Sequence, residues 1–203
     1  MGSRRRPRRF VPWLGVSVAD RDLFFQDLCL FSGWGFAPAR LGAMNDSVLV
    51  KAMEAADLDD VGRMAAALVH YHHGLDPRRF LLVDGVESGY KRYFASQLAE
   101  PNTVLLVALR GNRRVGYAYA RAEPRDWNAL LDVHGALHDI YVEQEERRGG
   151  VGGALLAEVK SRLTRAGAPR LVLSTAVQNE PAQRLFERHG FRRTMLEMTC
   201  ELG

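Results

Sequence analysis

Residues 147–153 combine charged side chains with a backbone that could bind a phosphate group. Arg147 and Arg148 are followed by glycines at positions 149, 150, 152 and 153, and an amphipathic helical pattern begins at about residue 150. A helix N-terminus leaves backbone N–H groups unpaired and carries a partial positive charge, so it attracts anions. The glycines remove the side chains that would keep a phosphate away from those amides. The pattern is therefore typical of a phosphate-binding loop between a strand and a helix.

Spacing distinguishes this loop from two common phosphate-binding motifs. A nucleotide P-loop ends in Gly-Lys-Ser or Gly-Lys-Thr, whereas Gly152 is followed by Gly153, Ala154 and Leu155, so that motif is absent. A dinucleotide-binding loop has glycines at its first, third and sixth positions. Counted from Gly150, the glycines here fall at the first, third and fourth positions, which is a poor match.

A second motif follows about 30 residues further along the chain. The segment NEPAQRLFERHGF, residues 179–191, begins with Asn-x-x-Ala and ends in Gly-Phe. Together with Arg147-x-x-Gly150-x-Gly152 and the preceding strand pattern HDIYV, it resembles the two coenzyme A motifs of the GNAT superfamily of N-acetyltransferases. The resemblance covers residues 47–203. It implies an acetyl-CoA-dependent enzyme that moves an acetyl group directly to a primary amine of a small molecule or a peptide, without a metal.

The resemblance also implies which residues hold the acetyl-CoA. Backbone amides of the glycine-rich loop would bind the pyrophosphate. The end of the preceding strand would pair with the pantetheine arm and polarise the thioester carbonyl, and the second motif would lie along that arm. The residues concerned are Ile140, Tyr141, Val142, Arg147, Arg148, Gly149, Gly150, Val151, Gly152, Gly153, Ala154, Asn179, Ala182 and Phe186.

The reaction requires a base, because an aliphatic amine has a pKa near 10.4 and only about one molecule in a thousand is neutral at pH 7. In the GNAT superfamily this base is often an acidic residue on the strand before the loop, and here that strand carries His138 and Asp139. Alternation along a strand places these two side chains on opposite faces, so we expect only one of them to reach the cleft. The resemblance also implies a bulge in this strand, which leaves the choice between His138 and Asp139 open.

The proton donor for the departing thiolate differs from the superfamily pattern. Many members have a tyrosine in the second motif where this sequence has Phe186. Phenylalanine has no proton to give, so a water molecule or another residue such as Tyr141 would take this role. A thiol with a pKa of about 8.5 already leaves tolerably well as an anion, so the difference does not exclude catalysis. A non-catalytic acyl-CoA sensor or scaffold is the alternative function.

Acceptor specificity in this superfamily is set mostly by the first two helices and the loop that joins them. Here that region carries Asp76, Asp84 and Glu87, which could attract a cationic amine. Trp127, in a later loop, would either line the acceptor site or pack against the domain. Asp76 and the histidines at 70, 72 and 73 also suggest a metal site, but three histidines in four positions cannot all converge, so we expect no metal.

These motifs require a scaffold of alternating strands and helices from residue 47 onwards. Hydrophobic periodicity predicts a strand at SVLVKAME, a helix with Asp57 as its N-cap and a second helix capped by Ser88. A hairpin turning at Gly111 and Asn112 follows, then the strands and helices that carry the motifs, and FRRTMLEMTCEL is predicted as the last strand. The expected fold is mixed α/β: a mostly antiparallel twisted sheet of about six to seven strands flanked by about four helices.

The excess of basic residues lies in the first 43 positions. They contain seven of the 28 Arg and Lys residues and three of the 24 Asp and Glu residues, which leaves residues 44–203 without net charge. We therefore predict two parts: a basic extension, residues 1–43, expected to be disordered or loosely packed, and an N-acetyltransferase domain, residues 44–203. The domain gives no electrostatic reason to expect a nucleic acid. A third hypothesis is that the arginines of the extension bind one.

Composition argues against a membrane-spanning segment, since no stretch has the roughly 18 uncharged apolar residues that such a helix needs. Cys29 and Cys200 show neither metal-site spacing nor the density of a disulfide scaffold, which favours a reducing compartment. Residues 1–19 have the outline of a secretory signal, but Pro12 interrupts the apolar stretch. We expect a cytoplasmic protein without a membrane partner and leave a homodimer open.

Overall fold

The computed structural model describes residues 47–202, and the predicted extension of residues 1–43 lies outside this range. Five strands and four α-helices form within it. None of these helices is long and apolar enough to cross a membrane. In chain order the elements are β1 Val48–Ala52, α1 Leu58–Leu75, α2 Val86–Gln97, β2 Thr103–Arg110, β3 Arg113–Glu123, β4 His134–Val142, α3 Val151–Arg165, β5 Leu171–Leu173 and α4 Glu180–Arg188.

The strands form one sheet in the order β1-β2-β3-β4-β5 across residues 47–202. Neighbouring strands run antiparallel except β4 and β5, which are parallel. This confirms the predicted mixed α/β fold, but the sheet has five described strands rather than six to seven. The predicted last strand, FRRTMLEMTCEL, is wrong. Residues 192–202 are exposed and pair with none of the described strands, and a β-favouring sequence forms a strand only where a sheet edge pairs with it.

Helices α1 and α2 cover one face of the sheet. Alternation along β3 directs Tyr117 and Tyr119 to this face, where Met64 of α1 and Phe94 of α2 are buried with them. The ring of Phe94 meets that of Tyr117 edge-to-face, with 5.8 Å between the ring centres. Each large apolar side chain buried in this way stabilises the fold by about 1.5–3 kcal/mol. This layer fixes both helices over the middle of β3 and β4.

Helices α3 and α4 cover the opposite face. The buried side chains of α3 recur at helical spacing, so they form one apolar stripe against the sheet. On α4, Phe186 is only 6% exposed, and its ring lies edge-to-face with Phe191 at 5.7 Å between centres. This packing holds the N-terminus of α3 close to the end of β4. The stripe on α3 consists of Val151, Leu155, Leu156, Val159 and Leu163.

Asp57 precedes α1, at the N-cap position that the sequence predicts, but its side chain makes no capping hydrogen bond to that helix. The side chain is fully buried instead. Its carboxylate oxygens lie 2.9 Å from Lys51 Nζ and 2.9 Å from Arg114 Nε, and one of them accepts a hydrogen bond from the Glu54 amide at 3.0 Å. Asp57 therefore ties β1 to β3.

The second helix begins two residues earlier than the predicted cap. Gly85, with φ of 70°, is the N-cap of α2, and the Ser88 hydroxyl donates back to the Gly85 carbonyl at 2.9 Å. The predicted cap at Ser88 is therefore wrong. The left-handed backbone that glycine permits at position 85 sets the helix start, and Ser88 lies within the first turn.

Candidate active site

The pairing of β3 with β4 contains a bulge at His138. Tyr119 pairs with Asp139, but the next residue, Ala120, pairs with Leu137, so His138 is the extra residue on β4. A bulge interrupts the alternation of side chains and bends the strand. Both His138 and Asp139 consequently line the same cavity, and the expectation that only one of them reaches it is wrong.

This cavity, which we call the acceptor cavity, has a volume of about 690 Å³. Its walls come from α1, the α1–α2 connection, α2, β3 and β4, so side chains far apart in sequence meet there. Aromatic rings and charges of both signs line it. The polar and aromatic lining residues are Asp84, Tyr90, Arg92, Tyr93, Tyr119, Arg121, Glu123, His138 and Asp139.

Asp139 faces the acceptor cavity without a cationic partner among the described residues. Its carboxylate accepts one side-chain hydrogen bond, from the Tyr117 hydroxyl at 3.3 Å. Burial raises the pKa of Asp139 to about 6, because desolvation disfavours the charged form more than the Tyr117 hydrogen bond favours it. Burial also raises the pKa of Tyr90 to about 12, and that of Tyr117 well above its usual value. At neutral pH, Asp139 is therefore a carboxylate that can take a proton, beside phenols that keep theirs.

His138 lies nearer to solvent, with 42% of its side chain exposed. Its ring stacks on Tyr119 with 5.0 Å between centres, and its Nε2 lies 3.4 Å from a carboxylate oxygen of Glu123. The Tyr119 hydroxyl in turn lies 2.7 Å from that of Tyr93. His138 is thus held by a ring and a carboxylate at the edge of the cavity.

β4 extends beyond the residues that pair with β5. The parallel pairing joins Gly135–Leu137 to Leu171–Leu173, and β4 runs on to Val142. Among the described residues, the β4 edge facing away from β3 therefore has no strand partner between residues 138 and 142. Ile140 and Val142 pack towards the α3 layer and Tyr141 towards the α1 layer. This open edge can pair with an extended, amide-containing ligand.

The glycine-rich loop follows directly on this open edge. Gly150, with φ of 84°, is the N-cap of α3, and Arg148 also has a positive φ, of 66°. Ala154 donates to the Gly150 carbonyl at 3.0 Å, one helical turn back. The amides of residues 151–153 precede that first helical bond, so they are free to bind an anion at the positive end of the helix. A Cβ on Gly150 would meet no atom within 4 Å, so it is the backbone conformation that requires glycine there.

Gly152 and Gly153 have a packing role in addition. A Cβ on Gly152 would lie 3.1 Å from Leu185, and one on Gly153 would lie 3.0 Å from the His189 ring. Both contacts are with α4 or its C-cap residue. These two glycines therefore let α3 approach α4 closely, whether or not a phosphate binds.

Arg147 and two aromatic rings lie at the opening between the open edge of β4 and the glycine-rich loop. Arg147 donates from Nε to the Val142 carbonyl at 3.1 Å, and its guanidinium lies 5.9 Å from the Tyr71 ring centre and 5.8 Å from that of Tyr141. The Tyr141 hydroxyl donates to Glu143 at 3.3 Å. Burial, followed by the nearby Glu143 carboxylate, raises the pKa of Tyr141. Tyr141 therefore remains protonated at neutral pH.

The second motif lies on the other side of this opening. Asn179 is the N-cap of α4: its side-chain oxygen accepts from the Ala182 amide at 3.3 Å and from the Tyr71 hydroxyl at 3.4 Å. Ala182 packs against the core and Phe186 is buried in it. Tyr71 was not predicted from the sequence, because its position in α1 gives no local signal of proximity to α4.

The four residues predicted to contact the acceptor do not lie together in the structure. Asp84 lines the acceptor cavity, whereas Glu87 and Trp127 are absent from its lining. Trp127 is 72% exposed and lies under the Arg125 guanidinium. Asp76 accepts hydrogen bonds from the amides of residues 78 and 79 at 3.1 and 3.2 Å, so it holds its own turn.

Several cavity residues escaped the sequence analysis, namely Tyr90, Arg92, Tyr93, Tyr119, Arg121 and Glu123. A signal was present for three of them. Along YAYARAE, positions 117, 119, 121 and 123 are aromatic or charged and alternate with alanine, which places them on one face of β3.

Residues 47–202 contain no group of three or more side chains arranged to hold a metal. The ring nitrogen Nδ1 of His73 lies 2.8 Å from the Phe80 carbonyl.

Comparison with known proteins agrees with this geometry. The family described as "Acetyltransferase (GNAT) family" matches residues 72–191, which is more than half of the chain. The chain therefore belongs to the GNAT family of acetyltransferases. The match contains the open strand edge, the glycine-rich loop and the second motif.

Individual relatives are more distant. A mycothiol acetyltransferase of Brachybacterium faecium is 32% identical over 87 residues, which are 43% of this chain but only 25% of that protein. The aminoglycoside N-acetyltransferase AAC(6')-Iy, solved in complex with CoA, has a TM-score of 0.63 and 18% identity, covering 79% of this chain and 98% of that one. The BH1408 protein of Bacillus halodurans, solved as a tetramutant, has a TM-score of 0.67 and 16% identity, covering 76% and 99%. At these identities the structural matches show the shared fold.

Proposed function

We propose that this protein is an acetyl-CoA-dependent N-acetyltransferase that acetylates a primary amine of a small molecule or a peptide, with Asp139 as the general base. One observation carries the proposal. A carboxylate with a pKa of about 6 lines a cavity of about 690 Å³ on the strand that leads into the glycine-rich loop. A general base works best when its pKa lies near the working pH, and burial without a cationic partner brings Asp139 there.

The residues on the donor side fit acetyl-CoA. The amides of residues 151–153 and the positive φ at Gly150 form a cradle for the pyrophosphate, and Arg147 and Arg148 add positive charge beside it. Charge-assisted hydrogen bonds of this kind contribute about 1.5–3 kcal/mol each. The open edge of β4, from Ile140 to Val142, offers backbone partners to the amides of the pantetheine arm. Asn179 and Ala182 would lie along the other side of that arm.

The proposed reaction moves one acetyl group and one proton. The amine nitrogen attacks the thioester carbonyl carbon, a C–N bond forms, and the C–S bond breaks to release the coenzyme A thiolate. The ammonium form of the acceptor gives one proton to Asp139 before the attack. The nitrogen loses a second proton as the amide forms, and a proton goes to the departing thiolate. Asp139 then returns its proton to solvent.

Tyr117 and Tyr90 support Asp139 in this proposal. The Tyr117 hydroxyl donates to Asp139 at 3.3 Å, which orients the carboxylate towards the cavity. The raised pKa values of both phenols keep them protonated, so they do not compete with Asp139 for the proton of the amine. His138 is the second candidate base, because it shares the cavity and has Glu123 at 3.4 Å. We assign His138 a smaller role because its side chain lies nearer to water, and water there can take a proton without a protein base.

Phe186 lies in the apolar core, so a tyrosine at that position would bury a hydroxyl among apolar side chains. We propose that Tyr141, which stays protonated beside Glu143 at the open edge of β4, stabilises or protonates the departing thiolate. A thiolate leaves without help more readily than an alkoxide, so we expect this contribution to be small.

Release of free thiol from acetyl-CoA on addition of an amine panel tests the proposal. We expect turnover with at least one primary amine, and mass spectrometry should show an acetylated product. Asp139→Asn should retain acetyl-CoA binding by calorimetry but keep only a small residual turnover. Tight acetyl-CoA binding without turnover on any amine would contradict the proposal and favour the acyl-CoA sensor.

A further inference from the structure

The acceptor cavity carries cations as well as carboxylates. Asp84, Glu123 and Asp139 line it, but so do Arg92 and Arg121. A polycationic acceptor would meet two guanidinium groups along with the three carboxylates. An acceptor with one ammonium and one anionic group would meet a complement for each. The following inference rests on the proposed function, in which Asp139 receives the proton of the amine.

Arg121 lies one pleat repeat along β3 from the strand partner of the proposed base. Tyr119, the pairing partner of Asp139, and Arg121 point to the same face of β3, two residues apart. Two residues along a strand span about 7 Å. A guanidinium at this position is within reach of a group a few bonds away from an amine at Asp139.

The hydrogen-bonding capacity of Arg121 is only partly used by the protein. A guanidinium has five N–H donors. A hydrogen bond with the Tyr119 side chain raises the pKa of Arg121, while its buried Nε has no hydrogen-bond acceptor among the described residues. The neighbouring Glu123 oxygen lies 3.6 Å from that Nε, too far for a hydrogen bond, and the same oxygen lies 3.4 Å from His138. In contrast, Arg114 holds Asp57 at 2.9 Å. About one third of the Arg121 side chain remains exposed, on the cavity wall.

We propose that the acceptor is an amine that also carries a carboxylate or phosphate group, and that Arg121 binds this group. The planar guanidinium is suited to paired hydrogen bonds with either anion. Tyr90, Tyr93 and Tyr119 line the same cavity, and their rings suit an apolar body in the acceptor. Arg121 is then a specificity-determining residue that touches the acceptor without reacting.

Matched pairs of acceptors test this inference by thiol release from acetyl-CoA. One pair is L-phenylalanine and L-phenylalaninamide; the other is O-phosphoethanolamine and ethanolamine. The kcat/KM values are calculated for the ammonium form of each amine, which is the form that gives its proton to Asp139 in the proposed reaction. We expect the anionic member of at least one pair to have a kcat/KM at least tenfold higher, mainly through a lower KM. The pair that shows the preference identifies the anion as carboxylate or phosphate.

Arg121→Gln should reduce this preference to about unity, and Arg121→Lys should keep part of it. Arg193→Gln, which removes an exposed arginine paired with Glu187 on α4, is the matched control and should leave the preference unchanged. Because the readout is a ratio within each variant, a partial loss of folded protein does not alter it. Equal rates for both members of each pair, or a preference that persists in Arg121→Gln, would overturn the inference while the N-acetyltransferase proposal stands. Absence of turnover with every amine would overturn both.

Discussion

Two aspartates in this domain are buried in different surroundings. Asp57 has Lys51, Arg114 and the Glu54 amide within hydrogen-bonding distance, whereas Asp139 has the Tyr117 hydroxyl alone among the side chains described. Burial opposes ionisation of both. At Asp57 the hydrogen bonds outweigh burial and lower the pKa, whereas at Asp139 burial dominates and raises the pKa to about 6. A buried carboxylate supplied with cations stabilises the fold, and one left without them can exchange a proton.

The difference follows from where each residue lies. Asp57 lies between Lys51 of β1 and Arg114 of β3, and both basic side chains contact it. Asp139 follows a bulge and lines a cavity in which Arg121 and His138 lie beside Glu123 and not beside Asp139. The free-energy cost of burying Asp139 therefore belongs to the proposed active site and not to the packing of the core.

The largest expected effect is on catalysis. Asp139→Asn removes the proposed base with little change in shape, so kcat should fall by about 10²- to 10⁴-fold. Thiol release under saturating acetyl-CoA measures this. Asp59→Asn, which changes an exposed aspartate paired with Lys91 on α2, is the matched control and should keep full activity. A kcat for Asp139→Asn within threefold of the unmodified enzyme would assign the base to another group.

The second effect is on stability. Asp57→Asn removes a buried charge from between two cations, so the free energy of unfolding should fall by about 3 kcal/mol. Urea unfolding followed by circular dichroism measures this. The kcat of the protein that remains folded should not change, since Asp57 is absent from the cavity lining. A stability within 0.5 kcal/mol of the original, roughly the scatter of surface substitutions, would show that Asp57 is not a structural anchor.

The pH dependence of stability should differ in sign between the two sites. The pKa of Asp139 is higher in the folded than in the unfolded protein, so the folded state binds the proton more tightly and stability should fall as the pH rises from about 4 to about 6. Asp139→Asn should therefore be more stable than the original above pH 6, by up to about 3 kcal/mol. The pKa of Asp57 is lowered, so its contribution is present above pH 4 and lost as the pH falls below it. Unfolding curves at integer pH values from about 2 to about 7 for both Asn variants provide the comparison, and Asp139→Asn less stable than the original at pH 7 would contradict it.

The smallest effects separate the glycines of the loop. Gly150→Ala places a Cβ on a backbone with φ of 84°, which costs about 1–2 kcal/mol, and should raise the KM for acetyl-CoA. Gly153→Ala brings a Cβ to within 3.0 Å of the His189 ring, a clash of about 1–3 kcal/mol from which the higher helix propensity of alanine subtracts about 1 kcal/mol; the net loss should be recovered in combination with His189→Ala. Thermal unfolding and acetyl-CoA titrations measure the two effects. If His189→Ala fails to restore Gly153→Ala, the close approach of α3 and α4 is not the reason for that glycine.

The local conformations on the proposed donor side could be predicted from the sequence because its parts are contiguous in the chain. The strand HDIYV, the loop and the helix follow one another in the chain, and Asn179 caps its own helix. Their conformations depend on glycine, capping and hydrophobic periodicity, which neighbouring residues determine. The predicted mixed α/β fold and hairpin at Gly111 depend on the same short-range signals, and both are confirmed.

The cavity proposed to bind the acceptor could not be predicted in the same way because its residues come from distant parts of the chain. Arg121 and Tyr93 reach one cavity from β3 and α2, and the bulge at His138 depends on how β4 pairs with β3. Asp57 was predicted only as a helix cap, because the two cations that contact it lie on separate strands and give no local signal in the sequence. The predicted last strand failed for a related reason: its residues favour a strand, but strand formation also requires a pairing partner.

The pH dependence of kcat/KM for acetylation, measured for the original protein and for Asp139→Asn, tests the role of Asp139 most directly. If Asp139 takes the proton of a bound ammonium, the original protein should show a rate that rises through about pH 6, remains level, and falls near the pKa of the free amine. Asp139→Asn should lose the limb near pH 6, and its residual rate should rise with the fraction of neutral amine. An unchanged limb near pH 6 in Asp139→Asn would contradict the account.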